Sequence, residues 1–462
     1  MRRVVSTALV AAATLTFAAA LRMRVSETSP AVTIFGSDPS HLWNRLYATL
    51  LVRKDRHGNL QGVDSLDPLL WGTTKHLLEP KSHARALEVL DEFLQKHAEA
   101  QIDDPLRRAL LQRDLWAVFD WSVEQSIGDP TYDNEKHQLQ IRLAEALRRL
   151  ALTSDEIKSL PDNYHQAVVA GAFPGAYNST DSDQAFLPTD LFDPHGPWVG
   201  ITPNPENNDG VAKMHQFSVS GRSNFLVFVR LPDGRKATMD YFQTLWNYPQ
   251  PYAAGPRFAS DEQAMVNPDL PSFPAGTEVA LVRRMNLFDK TGNLEETNLT
   301  ESVQIRVYHA ITPTGERFFS RSIDETIKKS GQDFYEFELS RPLLFAQKNG
   351  GLRAVGRQER QFSTFQTKGV DPFEGASGRT DSDSEPPVEL QHCVWCHSGG
   401  GVRSLNSREN LLRPNRMQME PQNADYGPIY WSENSALAWK QDRYDWGLLN
   451  GYWKSTSPNV AH

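Results

Sequence analysis

The sequence predicts a multidomain α+β protein, with a helical region over 40–173, a central antiparallel β domain over 211–370 forming a sandwich or open barrel, and a small, mainly helical region over 389–462. Three observations predict it. The 462 residues exceed the length of one ordinary domain. The apolar period changes from 3.6 to 2 near residue 211. A stretch rich in Asp, Ser, Gly and Pro, 371–388, has little to bury and reads as a linker. Composition, at 39% hydrophobic and 23% charged, excludes a collagen, a coiled coil and a wholly disordered chain. With 48 basic against 57 acidic side chains, the net charge of −9 argues against a general nucleic-acid binder. Two Cys exclude a scaffold of many disulfides.

At the N-terminus, Arg2 and Arg3 precede an uncharged, Ala-rich run from Val4 to Leu21 that passes through Ala18-Ala19-Ala20. Paired Arg, an apolar run and small residues have the order of an export signal, so residues 1–20 are expected to be a signal peptide. An uncleaved membrane anchor is the alternative. No later segment is apolar enough to span a membrane.

Helical spacing follows in Ala84, Leu87, Leu90 and Leu94, and again in Leu106, Leu110, Leu111, Leu115, Val118 and Trp121. A further amphipathic helix is expected from Asn134 to Leu152, and Thr153-Ser154-Asp155-Glu156 resembles a capped helix start. This region reads as a bundle without a site of its own. From Pro174 to Gly210 periodicity fades and the chain reads as loop; Asn204 to Gly210 lacks the alternate spacing of a calcium loop. Strands are then expected at Phe217–Val219, Asn224–Arg230, Lys236–Tyr241, Glu278–Leu287, Val303–Ala310 and Phe334–Leu339. Pro232-Asp233-Gly234 and Thr291-Gly292-Asn293 supply turns, while Val303, Ile305 and Val307 alternate with Gln304, Arg306 and Tyr308. After the linker come both Cys and Trp395, Trp431, Trp439, Trp446 and Trp453, with a closing helix expected from Ser432 to Trp453. So many large rings need either a flat apolar object or a dense small core.

Cys393-Val394-Trp395-Cys396-His397 is a CxxCH sequence, the pattern of covalent c-type haem attachment. Two thiols three residues apart reach the two vinyl groups of one porphyrin as thioethers, and the next residue, His397, is held beneath the iron. A disulfide or thioredoxin-like pair is one rival, but that motif starts a helix after a strand, whereas Pro386-Pro387 precedes this one and Ser398-Gly399-Gly400-Gly401 follows it. Zinc is another, and needs two further ligands that the neighbouring His392 does not easily complete.

At this motif the last 74 residues resemble the c-type cytochrome family. The resemblance implies one covalent haem c, thioether sites at Cys393 and Cys396, and His397 as axial ligand. In that family the other axial ligand is often a Met in a later loop, which points to Met417 or Met419, with Met417 preferred. His195, His215 and His309 are the other imidazoles with a route to the iron, and any of them would put the haem at a domain interface. The expectation is an exported, periplasmic mono-haem protein that passes single electrons to a redox partner protein, with no membrane span in the mature chain unless the N-terminal segment stays uncleaved. Alternatives are a haem-dependent oxidoreductase acting on peroxide or another small molecule, and a partner-binding scaffold with a redox tail. No nucleophile elbow, HExxH, phosphate loop or second CxxCH supplies an independent catalytic site.

Overall fold

The computed structural model describes residues 31–55, 57–124, 130–203, 212–249, 267, 269–311, 323–362, 370–374, 386–405, 417–419 and 435–456. The expected signal peptide, the Asn204–Gly210 loop and Trp431 lie outside them. The chain is mixed α and β. Its first unit is built from the helices Leu42–Leu51, Pro80–Gln95, Pro105–Glu124 and Asp133–Leu150. Pro80 opens the second of these, where its missing N–H costs nothing, and Ala86, Val89, Leu90 and Phe93 form its buried stripe. The helix Pro105–Glu124 is buried on all sides from Ala109 to Val123, so Arg113, Asp114 and Asp120 lie inside the protein and need partners there. The capped start at Thr153 is present: its hydroxyl accepts from Glu156 N, and the Glu156 carboxylate accepts from Thr153 N at 2.7 Å.

A small hairpin pairs β1 (Arg53–Lys54) with β2 (Leu60–Gln61). The main sheet contains β3 (Val199–Pro203), β4 (Ser223–Arg230), β5 (Thr277–Phe288), β6 (Leu294–Tyr308), β7 (Gln332–Leu339) and β8 (Leu352–Ala354), extended at one edge by the short β9 (Met417–Met419). Its order is β8-β7-β6-β5-β4-β3-β9, with every neighbouring pair antiparallel. The β5–β6 turn falls at the expected Thr291-Gly292-Asn293, where Gly292 has φ +85° and the Asp289 carboxylate accepts from Thr291 N and Asn293 N, each at 2.9 Å.

The sheet is not closed into a barrel, and the other sheet among the described residues is the two-stranded hairpin β1–β2, so no sandwich of two large sheets is described. The reason is that two expected strands are helices. Phe217–Val219 falls at the end of the helix Lys213–Ser218, and Lys236–Tyr241 lies in the helix Gly234–Trp246. In the latter, the buried positions Thr238, Phe242 and Leu245 recur at steps of four and three, a helical period hidden by reading the segment only as far as Tyr241.

The C-terminal region also departs from a self-contained unit. Two helices, Ser435–Gln441 and Tyr444–Thr456, replace the single closing helix. The second packs on the N-terminal bundle and on the end of β5, with Trp446 6.1 Å from Trp116 of the bundle and Trp453 5.1 Å from Phe288 of the strand, ring centre to ring centre. Those rings therefore serve a dense core. The stretch expected to be a free linker is tied at its start: buried Asp371 pairs with Arg53 and accepts from the Thr74 hydroxyl at 2.7 Å. No helix among the described residues is long and apolar enough to cross a membrane.

Candidate functional site

The CxxCH motif occupies the end of a helix, Glu389–His397. Pro386 and Pro387 keep the preceding chain extended, Val388 bridges to Arg360, and Glu389 N donates to Glu359 O at 2.8 Å. Leu390 and Val394 anchor one flank against Ile327, Phe334 and Val355. Cys393, Cys396 and His397 stand at positions i, i+3 and i+4 and so share one side of the helix, beside that flank, with Cys393 packed against it. Trp395, 44% exposed, turns away with its ring edge-on to His392.

The glycine run ends the helix as its composition requires. Gln332 Nε2 donates to the carbonyls of His397 at 3.0 Å and Gly399 at 2.9 Å, closing the helix terminus. Gly401 has φ +55°, and a Cβ there would lie 1.8 Å from Ser272 Oγ. This turn carries the chain into the short helix Val402–Leu405 and brings Ser404 back under the motif. His397 Nδ1 donates to the Ser404 carbonyl at 2.5 Å. Ser404 is itself fixed: Arg306 Nη1 donates to its carbonyl at 3.1 Å and its hydroxyl at 3.2 Å, and Tyr308 bonds the hydroxyl.

Strand register supplies the floor. Direct pairing places Glu336, Gln304, Leu281, Val227 and Ile201 in one row across β7, β6, β5, β4 and β3. The next row on the same face holds Glu338, Ser302, Arg283 and Phe225. Glu336 reaches the motif, with Oε2 3.8 Å from Cys393 Sγ. Glu336, Glu338 and Glu389 bring carboxylate oxygens within 4.8 Å of one another. Burial pushes Glu336 up to about 8, helped by Glu338, and Glu389 up to about 9, helped by Glu336.

A second imidazole approaches from the helix Lys213–Ser218. The rings of His215 and His397 have centres 6.1 Å apart and planes within 13° of parallel. His215 also lies 5.6 Å from Phe225 of β4, and its helix is braced by Phe217, whose ring meets Trp439 edge-on at 4.9 Å. Burial, with Arg306 nearby, pushes His397 well below the usual imidazole range. Burial, with Arg306 and Arg283, lowers His215 to about 4. Both rings are therefore neutral at pH 7.

This arrangement suits a metal-bound imidazole. A carbonyl only accepts, so Nδ1 of His397 carries the proton and Nε2 keeps its lone pair, the second-sphere arrangement of a ligating His. The two thiols are not joined to each other. Burial, with Glu336 and Glu389, also pushes the Cys393 thiol up, the opposite of an activated thiolate. A haem attached at Cys393 and Cys396 fits the shared face of the two thiols and the tautomer of His397.

The other expected ligands are dispersed. Met417 and Met419 belong to β9, where Met417 pairs with Pro203 and Met419 with Ile201, on the sheet edge beyond β3. His195 is exposed on its loop. His309 is 41% exposed, with Nε2 3.7 Å from Asp333. Sequence reading missed Gln332, Glu336 and Ser404 as parts of the site. The alternation of Gln304, Arg306 and Tyr308 in β6 was the available signal, but the polar side of a strand reads as solvent-facing when the helix covering it lies about 90 residues away in sequence. No family model, no curated protein and no solved structure matches this chain.

Proposed function

We propose that the protein is an exported, periplasmic mono-haem c-type protein that transfers single electrons. The carrying observation is that Cys393, Cys396 and His397 share one helix face while the Ser404 carbonyl holds His397 in the tautomer that frees Nε2. Haem c supplies a one-electron couple whose potential follows its axial ligands, its burial and nearby charge. The chain's own groups do the rest. Cys393 and Cys396 would hold the group by thioether bonds, and His397 would bind its iron. The Arg306–Ser404–Tyr308 cluster keeps that imidazole from rotating. From sequence alone Met417 is the expected second ligand. The two neutral rings and the protonated carboxyls beside Cys393 limit how far the oxidised site's positive charge is compensated, which favours the reduced form. A net charge of −9 favours a basic redox partner and a salt-sensitive encounter.

The test is expression in a host that matures c-type cytochromes, followed by a haem-stained denaturing gel and a reduced-minus-oxidised spectrum. Covalent haem in the parent and none in a Cys393→Ala, Cys396→Ala variant is the expected result. An unstained parent chain overturns the proposal. Recovery of the stained chain in the periplasmic fraction tests export, and its retention in the cytoplasm overturns that part.

A further inference from the structure

We infer that His215, carried by the helix Lys213–Ser218, is the second axial ligand of the haem iron, making the site bis-histidine and placing the haem between the CxxCH helix and the β4 end of the sheet. This deepens the proposed function and rests on it.

The first support is metric. A metal–imidazole bond of about 2 Å and about 1 Å more from ring nitrogen to ring centre, taken on both sides of one metal, separate the two ring centres by about 6 Å. The His215 and His397 rings have centres 6.1 Å apart. Their sequence positions are 182 residues apart (397 − 215), so no local chain geometry imposes this spacing.

The second is construction. His215 stands on a short helix fixed from several sides. Phe217 meets Trp439 of the C-terminal helix. Gly221, at φ +73°, lets the chain pass so close to Trp439 that a Cβ would lie 2.8 Å from its ring. Arg222 then pins the turn to Asp120 at 2.8 Å, and Ser220 Oγ donates to Glu124 at 2.5 Å. A ligand that must keep its place while the iron changes charge benefits from such bracing, because less rearrangement accompanies each electron.

The third is chemical. His397 Nδ1 donates to the Ser404 carbonyl, so Nε2 of that ring keeps its lone pair for a metal. Met417 and Met419, by contrast, lie on β9, separated from β4 by β3.

Bis-histidine ligation makes the haem low-spin and closed to small molecules, with a lower potential than His/Met ligation gives. It favours electron transfer over peroxide chemistry and gives the long upstream chain a role, since the second ligand comes from outside the last 74 residues.

The experiment compares the full-length exported parent with His215→Ala, His215→Met and a Met417→Ala, Met419→Ala double variant by haem stain, absorption and electron paramagnetic resonance. The parent is expected to be low-spin without the sulfur-to-iron band in the red. His215→Ala should keep the same haem stain per chain yet become high-spin, bind carbon monoxide when reduced, and return to low-spin on addition of imidazole. His215→Met should stay low-spin, gain the sulfur-to-iron band and rise in potential, which also guards against misfolding of the alanine variant. The double Met variant should match the parent. A low-spin spectrum unchanged in His215→Ala, or a parent sulfur-to-iron band that the double Met variant abolishes, overturns the assignment while leaving the haem reading intact. An unstained parent overturns both.

Discussion

Two clusters of buried charge lie in contact with the same sheet, and they are built in opposite ways. Where the bundle meets β4, β5 and β6, cations and carboxylates alternate. Arg113 lies 3.0 Å from Glu301 and 3.2 Å from Asp67, Arg283 lies 2.8 Å and 2.9 Å from the same two groups, and Arg222 and Lys440 share Asp120 at 2.8 Å. Beneath the CxxCH helix, three carboxyls meet with Arg353 as the nearby cation, 2.7 Å from Glu338. The balanced cluster keeps its charges: burial alone would raise Asp67, but Arg283, Arg113 and Arg222 outweigh it and hold that carboxyl far below its usual range. The unbalanced cluster sheds charge by keeping protons. Buried charge next to countercharge thus welds two layers together, whereas like charges next to thiols leave a neutral, titratable surface against the site.

The largest expected effect comes from breaking the balance. Arg113→Ala leaves Glu301 without one of its two cations in a fully buried setting. It should destabilise the chain by about 3–5 kcal/mol, read as a fall in the denaturant midpoint. A loss under about 1 kcal/mol would mean that the cluster is not carrying the junction.

The two clusters should also respond oppositely to pH. For Asp67 the folded value lies below the unfolded one, so its stabilisation is present above the usual carboxyl range and is lost as acid titrates it. For Glu336 and Glu389 the folded values of about 8 and about 9 lie above the ordinary 4.5, so the folded chain binds more protons in between. Their contribution is complete below that ordinary value and is lost as pH rises from about 5 to about 9. Glu336→Gln should lessen the fall in stability over that window, read from unfolding midpoints at several pH values. A slope equal to that of the parent would show that Glu336 is ionised throughout.

The same contrast explains what could be read in advance. The bundle, the hairpin at Thr291-Gly292-Asn293 and the capping box at Thr153 are local patterns, and each is where its residues suggest. The helix Pro105–Glu124 shows the limit: its charges at 113, 114 and 120 resemble a solvated face, yet they are buried because partners arrive from residues 67, 222, 341 and 440. The motif was legible because CxxCH packs its chemistry into five residues. His215 and Ser404 were weaker signals, since their relation to His397 depends on strand pairing and a glycine turn that no single segment encodes.

Gly401→Ala gives a smaller effect, confined to the site. It places a side chain at φ +55° and against Ser272, and should cost about 1–3 kcal/mol. Because the turn carries Ser404, the variant should also loosen His397, seen as a broadened haem spectrum in protein that still stains for haem. An unchanged spectrum would show that the Ser404 contact does not depend on this turn.

Ser404→Ala tests the same contact from its other end, and should be the mildest change. It removes the hydroxyl bonded to Tyr308, Arg306 and the Gly401 carbonyl, but keeps the backbone carbonyl that receives His397 Nδ1. Tyr308 OH is left with Arg306 at 2.8 Å, so the loss should be about 1 kcal/mol. The carbonyl alone should then keep the histidine in its tautomer, and haem yield and spin state should match the parent, read by stain and absorption. A change of spin state in Ser404→Ala would show that the hydroxyl network, and not the backbone, holds His397 in place.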